Sequence, residues 1–351
     1  AAAGPWGPGA MPIPDFPCPT HVNPHEHAGS RPMRIKIETS GNARGTNPVA
    51  PWIQAVRVQF VPPSFIPVTL AAAIAWARHQ VFDPIAFLLV FIGVTVHHFG
   101  LNMLDDVLDY LHAVDRDWGD EKNPYTGGSG VLTEGLLTVQ DLKRGVVVCY
   151  GVTIAVWVWL AAMKGWPVLL IGAVGILSSI FYTVPPVKFA YRGFGELGLL
   201  VNFGPVLVMG SYYVQRQTLD VEPLIVSLVS GFLMWSMIVI NEIPDYEEDR
   251  RSGKMNLVAR FGRETGVILY GAGLLCAFGT LAGAVLFGMA PLPLLLGLAA
   301  LPTAFQSVRI LKEHYRDRLQ VIPANIAIIK VYLITGVALI AGYLIHAVTG
   351  F

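Results

Sequence analysis

Nine stretches of about 20 mostly apolar residues follow one another along the chain, each long enough to cross a ~30 Å hydrocarbon core as a helix. They run roughly over 58–79, 84–107, 144–163, 166–187, 196–215, 222–243, 265–288, 291–311 and 323–346. None alternates apolar with polar at period two, as a strand would. In lipid every backbone polar group must be bonded internally, which leaves helices as the form for these segments. The pattern predicts an all-α integral membrane protein with about nine transmembrane helices in a single bundle.

Basic residues orient that bundle. Of 24 Lys and Arg, 20 fall before the first stretch or after the second, fourth, sixth and eighth, and only Arg78, Lys164 and Arg216 fall on the other side. Positive charge stays cytoplasmic, so the N-terminus is expected inside. Residues 1–50 read as a polar tail and 51–351 as the membrane domain. Residues 1–32 hold eight prolines and no apolar run, which is neither a signal peptide nor a span. Cys18, His21, His25 and His27 lie there among Pro and Gly with no scaffold for a metal site. The tail reads as disordered, with Met33 as the natural start.

Composition agrees with the pattern. Hydrophobic residues make up 54%, charged residues 14%, and mean hydropathy is +0.55, against about 25% charged in soluble domains. A net charge of zero argues against nucleic-acid binding, which needs a basic stripe. Three distant cysteines make no disulfide framework.

The acids are not spread evenly. Half of the 24 lie in two windows, 105–121 and 242–249, at the cytoplasmic ends of the second and sixth stretches. Each window has an Asn four residues before an Asp: Asn102 with Asp106, and Asn241 with Asp245. The matching positions point to an internal repeat. Helical periodicity predicts one stripe of Asn102, Asp106 and Asp109, with His98 a turn deeper, and another of Asn241, Asp245 and Asp249. Facing each other, they form an oxygen-lined pocket for a hard cation. Mg²⁺ keeps several waters and binds one or two carboxylates plus substrate phosphates, so the expected ligand is a Mg²⁺-diphosphate. Asp105, Asp115, Asp117, Asp120, Glu242, Glu247 and Glu248 read as solvated neighbours or supporting groups. A single Asp at a helix end is usually just a water-facing charge; two matched sets on one side are not. Arg57, Lys188, Arg192, Arg250 and Lys254 lie on the same side as anion partners, although each alone fits plain positive-inside bias. Lys330 falls within the ninth stretch, where a charge is expected to face a cavity or a partner. His98 is open between a helix-to-helix bond and a substrate contact.

With these motifs in place, the chain resembles the UbiA-type intramembrane prenyltransferases over about residues 50–346. Asn102-xxx-Asp106-xx-Asp109 and Asp245-xxx-Asp249 match the family's two Asp-rich motifs. Gly127-Gly-Ser-Gly-Val-Leu132, Tyr182-Thr-Val-Pro-Pro186, Ala190-Tyr-Arg-Gly193 and Asn241-Glu-Ile-Pro-Asp245 are similar to the branch that prenylates 1,4-dihydroxy-2-naphthoate for menaquinone biosynthesis. Two positions depart: Arg57 is followed by Val58 rather than Pro, and Pro186 stands where many relatives carry Lys.

The resemblance implies a Mg²⁺-dependent polyprenyltransferase. Asp106, Asp109, Asp245 and Asp249, with Asn102 and Asn241, would hold the metal. Arg57, Lys188, Arg192 and Lys254 would bind the diphosphate, and the Tyr182 ring would face the allylic cation. Its partners would be a polyprenyl diphosphate, an aromatic acceptor and the bilayer, with no nucleic acid and no obligate protein partner. The expected place is the cytoplasmic (inner) membrane, multi-pass, with the site at the cytoplasmic face. Other acceptors (4-hydroxybenzoate, haem, chlorophyllide, a glyceryl phosphate lipid) stay open. In a different class, so does an ion-coupled transporter.

Overall fold

The computed structural model describes residues 47–111, 123 and 125–350. Asp115, Asp117 and Asp120, and the Cys18, His21, His25 and His27 group, lie outside the described residues. Among the described residues there is no strand. Prolines and side-chain caps start the helices. After a short helix, α1 (Ala50–Ala55), helix α2 (Pro62–His79) opens on Pro62-Pro63. Proline is suited to a first turn, whose N–H groups have no helical partner. Helix α3 (Pro84–Leu111) follows Asp83, whose Oδ1 accepts from the N–H groups of Ile85 at 3.1 Å and Ala86 at 3.0 Å. Helix α4 (Val139–Lys164) begins with a reciprocal cap, Thr138 with Asp141, and α5 (Pro167–Thr183) begins at a proline.

Seven further elements complete the bundle: α6 (Gly195–Arg216), α7 (Val221–Glu242), the short α8 (Tyr246–Ser252) and α9 (Leu257–Phe261), α10 (Arg263–Leu286), α11 (Leu292–His314) and α12 (Ile322–Thr349). Helix α7 is the hub. Val226, Val229, Leu233, Met237 and Ile240 recur at three- and four-residue steps along it and are all buried, the stripe of a helix packed on its neighbours. They join Tyr270 and Leu274 of α10 and Ile328 and Tyr332 of α12 in one core. Helix α6 crosses α7 backbone to backbone. A Cβ on Gly204 would lie 2.8 Å from the Ser227 carbonyl oxygen and 2.9 Å from the Gly231 Cα. Small residues at such crossings are how membrane helices gain van der Waals contact.

All nine predicted stretches carry helix, with two departures from the simple pattern. Among the described residues seven helices are long and apolar enough by themselves to cross a membrane. The first stretch is instead bent: Ala50–Phe60 and Pro62–His79 meet at 54°. Arg57 there adopts left-handed φ 53°, and Pro62-Pro63 cannot continue the preceding helical turn. The fourth, α5, is only 17 residues long, because Pro185 and Pro186 lie just beyond its end. Lys330 faces neither cavity nor partner helix; it is exposed on the outer face of α12. A long, flexible stem lets such a lysine carry its charge toward a membrane surface.

Candidate active site

The α3 end, the α5–α6 junction and the segment after α7 meet at one end of the bundle around an open cavity. Helix α3 presents His98, Leu101, Asn102, Asp105 and Asp109 to it. Asp106 is not on that wall. At about 100° per residue, Asp106 is rotated by about 80° from His98, whereas Asp105 and Asp109 lie within about 20°. Asp105, which the sequence reads as a neighbour, joins Asn102 and Asp109 on the cavity wall, and Asp106 stands beside them. Asp106 is buried at the flank, and its Oδ1 accepts from the Ser129 N–H at 3.0 Å.

The second motif faces the first. Asn241, Glu242, Asp245 and Asp249 line the same cavity, as do Arg57, Tyr182 and Lys254. Pro244 sits where α7 ends, so Asp245 starts a new turn and α8 carries Asp249 back over the cavity. Arg318 fixes that break by donating to the Pro244 carbonyl at 3.0 Å and pairing with Glu248. Lys254 bridges the two motifs, its Nζ donating to Asp109 Oδ2 at 2.8 Å. The Tyr191 hydroxyl donates to Asp109 Oδ1 at 2.9 Å. Asn256 Nδ2 donates to Asp249 Oδ2 at 2.6 Å. Asn241 Oδ1 accepts from Asn325 Nδ2 at 2.9 Å, and Asn102 Nδ2 donates to the Val56 carbonyl at 3.0 Å.

The electrostatics are those of buried acids with too few cations. Burial pushes Asp245 up to about 7, against the pulls of the Thr126 hydroxyl, Arg318 and Lys254. Burial likewise raises Asp249, with Lys254 opposing. Burial alone would favour neutral Lys254, but Asp109, Asp105 and Asp249 outweigh it and hold its proton more tightly than usual. Asp105 Oδ1, Asp106 Oδ2 and Asp245 Oδ1 are buried without a hydrogen-bond partner. Buried polar atoms are normally satisfied, and these three mark where a cation fits. Among the described residues no three His, Cys, Asp or Glu stand close enough to hold a metal ion by themselves. An all-oxygen set split between two walls suits Mg²⁺ shared with phosphate.

A second cavity adjoins the first. His98, Leu101, Tyr182, Leu199 and Phe203 line both. Its other walls are mostly apolar, with Val94, Trp157, Ile171 and Leu207. At Gly175 and Gly198 open space stands where a Cβ would be. The helix-to-helix reading of His98 holds, because Nδ1 shares a 2.6 Å hydrogen bond with Ser64 Oγ of α2; the ring also lines both cavities.

Residues 65–329 match the model of the UbiA prenyltransferase family. The chain belongs to that family. It is 31% identical over 219 residues to the 1,4-dihydroxy-2-naphthoate octaprenyltransferase of Escherichia coli K12, covering 60% of this chain and 68% of the relative. It is 25% identical to the enzyme of the same name from Bacillus subtilis, covering 73% and 80%. It is 27% identical to human UbiA prenyltransferase domain-containing protein 1, covering 77% and 78%. The fold matches a UbiA homolog from Archaeoglobus fulgidus bound to GPP and Mg²⁺, at TM-score 0.57 and 15% identity over 83% of this chain and 99% of that one. It also matches the apo UbiA homolog of Aeropyrum pernix, at TM-score 0.58 and 16% identity over 80% and 97%. The protein is thus a multi-pass membrane prenyltransferase, and the transporter reading falls away.

Within the site, the fold brings together Asn102, Asp109, Asn241, Asp245, Asp249, Tyr182, Arg57 and Lys254, with Asp106 behind them. It does not bring Lys188 or Arg192 to the cavity wall. Lys188 Nζ lies 4.6 Å from the centre of the Tyr191 ring, and Arg192 is exposed. Sequence reasoning missed Tyr191 and the two N–H groups of the 127–129 turn. Tyr191 stands in the Ala190-Tyr-Arg-Gly193 run, which was its available signal.

Proposed function

We propose that the chain transfers a polyprenyl group from an allylic diphosphate to 1,4-dihydroxy-2-naphthoate, with loss of CO₂. The site lies at the cytoplasmic face of the inner membrane, beneath nine spans that count the bent α1–α2 pair and α5. One observation carries the reading: two acid motifs and Lys254 converge on a polar cavity that opens into a mostly apolar one. Substrates with a diphosphate head and an isoprenoid tail have those two halves. The naphthoate acceptor rests on the named relatives and on the local resemblances of the sequence.

Asp105, Asp106, Asp109, Asp245 and Asp249, with Asn102 and Asn241 beside them, would hold Mg²⁺. When bound, it neutralises charge developing on the diphosphate oxygens as the C–O bond breaks. Lys254 exchanges Asp109 for a phosphate oxygen, and Arg57 adds a second positive charge at the opposite wall. Tyr182 lines the junction of the cavities, where the allylic carbon would sit, and its π face favours positive charge there. His98 and Phe203, in edge-to-face contact at 5.5 Å, shape the same junction. The apolar cavity keeps water from the cation. Attack by the ring carbon bearing the carboxylate forms the C–C bond. Loss of that carboxylate as CO₂ restores the aromatic ring, so no proton need be removed.

The test is prenyl transfer by purified protein with Mg²⁺ and a polyprenyl diphosphate, offered either the naphthoate or 4-hydroxybenzoate. The naphthoate should turn over. Turnover of the benzoate alone would overturn the acceptor and leave the family standing.

A further inference from the structure

The turn over 125–130 reaches both acid motifs through its backbone. The Gly127 N–H donates to Asp245 Oδ2 at 2.9 Å, and the Ser129 N–H donates to Asp106 Oδ1 at 3.0 Å. In each acid the other oxygen, Oδ1 of Asp245 and Oδ2 of Asp106, is buried without a partner. One carboxylate oxygen is thus pinned and one is left over, twice, by alternate residues of a single turn. A hydrogen bond from a fixed donor sets the rotation of a carboxylate, and groups that orient metal-binding carboxylates in this way govern affinity.

The turn itself is anchored. Gln54 Nε2 of α1 donates to the Ser129 carbonyl at 2.9 Å. On the other side Asn123 Nδ2 donates to the Arg318 carbonyl at 3.2 Å, and Asn123 Oδ1 accepts from the Tyr125 N–H at 3.0 Å. Gly127 has φ +67°, a left-handed conformation that a side chain strains. A glycine there lets the chain turn so that two N–H groups point at acids from different helices.

We propose that the Gly127 and Ser129 N–H groups are positioning elements for the metal: they clamp Asp245 and Asp106 together and dictate which oxygen of each faces a divalent cation. The inference rests on the function proposed above. The Ser129 hydroxyl also interacts with Asp106; the role proposed here belongs to its N–H. Loss of either N–H lets its carboxylate rotate and weakens metal binding, at unchanged charge.

Mn²⁺ binding to the full-length protein in detergent, with inorganic pyrophosphate present, is followed by electron paramagnetic resonance. Ser129→Pro removes one N–H, and Gly127→Ala disturbs the other if the first variant does not fold. Each should weaken Mn²⁺ by about 10- to 100-fold, the usual cost of losing a group that orients a ligand. Ser129→Ala, which keeps the N–H, should restore binding to within about threefold of the wild type on that scale. In an Asp106→Asn background Ser129→Pro should add little, because the N–H acts through Asp106. Wild-type Mn²⁺ affinity in Ser129→Pro or Gly127→Ala overturns the clamp. Equal loss in Ser129→Ala and Ser129→Pro overturns it as well. A wild-type protein that binds no Mn²⁺ with pyrophosphate overturns the metal site itself.

Discussion

The two ends of the bundle use the same side chains to opposite effect. At the end away from the acid motifs, Arg78 of α2 grips Glu222 of α7 through Nε at 2.8 Å and Nη2 at 2.9 Å. Tyr343 of α12 donates to the same carboxylate at 2.8 Å, and His346 meets Arg78 Nη1 at 2.8 Å. Lys164, closing α4, pairs with Asp83 before α3 at 2.7 Å. These acids have cations of their own, and they tie α2, α7 and α12 together and α4 to the start of α3. At the other end Lys254 serves several acids, and Asp105, Asp106, Glu196, Glu242 and Asp245 each keep a buried oxygen without a partner. A charge that is paired holds helices; a charge left unpaired in a cavity waits for a ligand. The difference lies in the partner supply, not in the residue types.

The contrast breaks most visibly at Asp245. Asp245→Ala should abolish transfer. A metal supplies several kcal/mol of charge stabilisation, so about a thousandfold or more in rate should go. Thermal stability should hold or rise, since an uncompensated buried acid is removed. Radiolabelled transfer and thermal inactivation in detergent measure the two; activity within a few-fold of wild type would remove Asp245 from the metal site. Glu222→Gln at the other end should show the reverse. Its side chain is 20% exposed and that of Arg78 28%, so the loss should fall between exposed and buried pairs, about 2–3 kcal/mol of stability. Transfer per folded molecule should change little. A variant as stable as the parent would mean the far-end network does not hold the bundle.

Much of this contrast is written in the sequence. Apolar runs give the helices, because lipid demands segments that satisfy their own backbone. The acid windows mark the working end. What the sequence conceals is local. Asp105 and Asp106 differ by one residue, and only the phase of α3 decides which of them faces the cavity. The Gly127 and Ser129 donors are backbone atoms, invisible in a list of side chains apart from the glycines that let them turn. Lys188 and Lys254 both fall on the side of the acid motifs in the topology that the sequence predicts. The left-handed φ 49° at Lys188 turns it onto Tyr191, whereas the turn at Gly253, φ +77°, returns Lys254 into the cavity. Lys330 misleads because hydropathy ignores which face of a helix meets the bundle.

The unpaired end should also be the pH-sensitive one. Asp245 binds its proton up to about pH 7, and a metal must displace that proton. Below pH 7 affinity for Mg²⁺ should therefore fall by about tenfold per pH unit for one linked proton; above it, the dependence should flatten. Calorimetry in buffers of different ionisation enthalpy counts the proton released. Binding that is level between pH 5.5 and 8 would mean that Asp245 is ionised without the metal.

The two lysines sharpen the comparison at its finest scale. Lys254 Nζ is bonded to Asp109 and its side chain is 16% exposed, so Lys254→Ala removes a buried, charge-assisted contact. Its replacement by diphosphate contact is worth about 1.5–3 kcal/mol, and the donor KM should rise by roughly one to two decades. Lys188 holds a ring face instead. A cation–π contact of this kind is worth about 0.5–1 kcal/mol at exposed sites. Lys188→Ala should then shift the donor KM by no more than about fivefold, and should leave the acceptor KM alone. Initial rates over a donor series decide between them. A larger donor effect from Lys188 than from Lys254 would place the diphosphate nearer the α5–α6 junction and leave Lys254 as a partner of Asp109 alone.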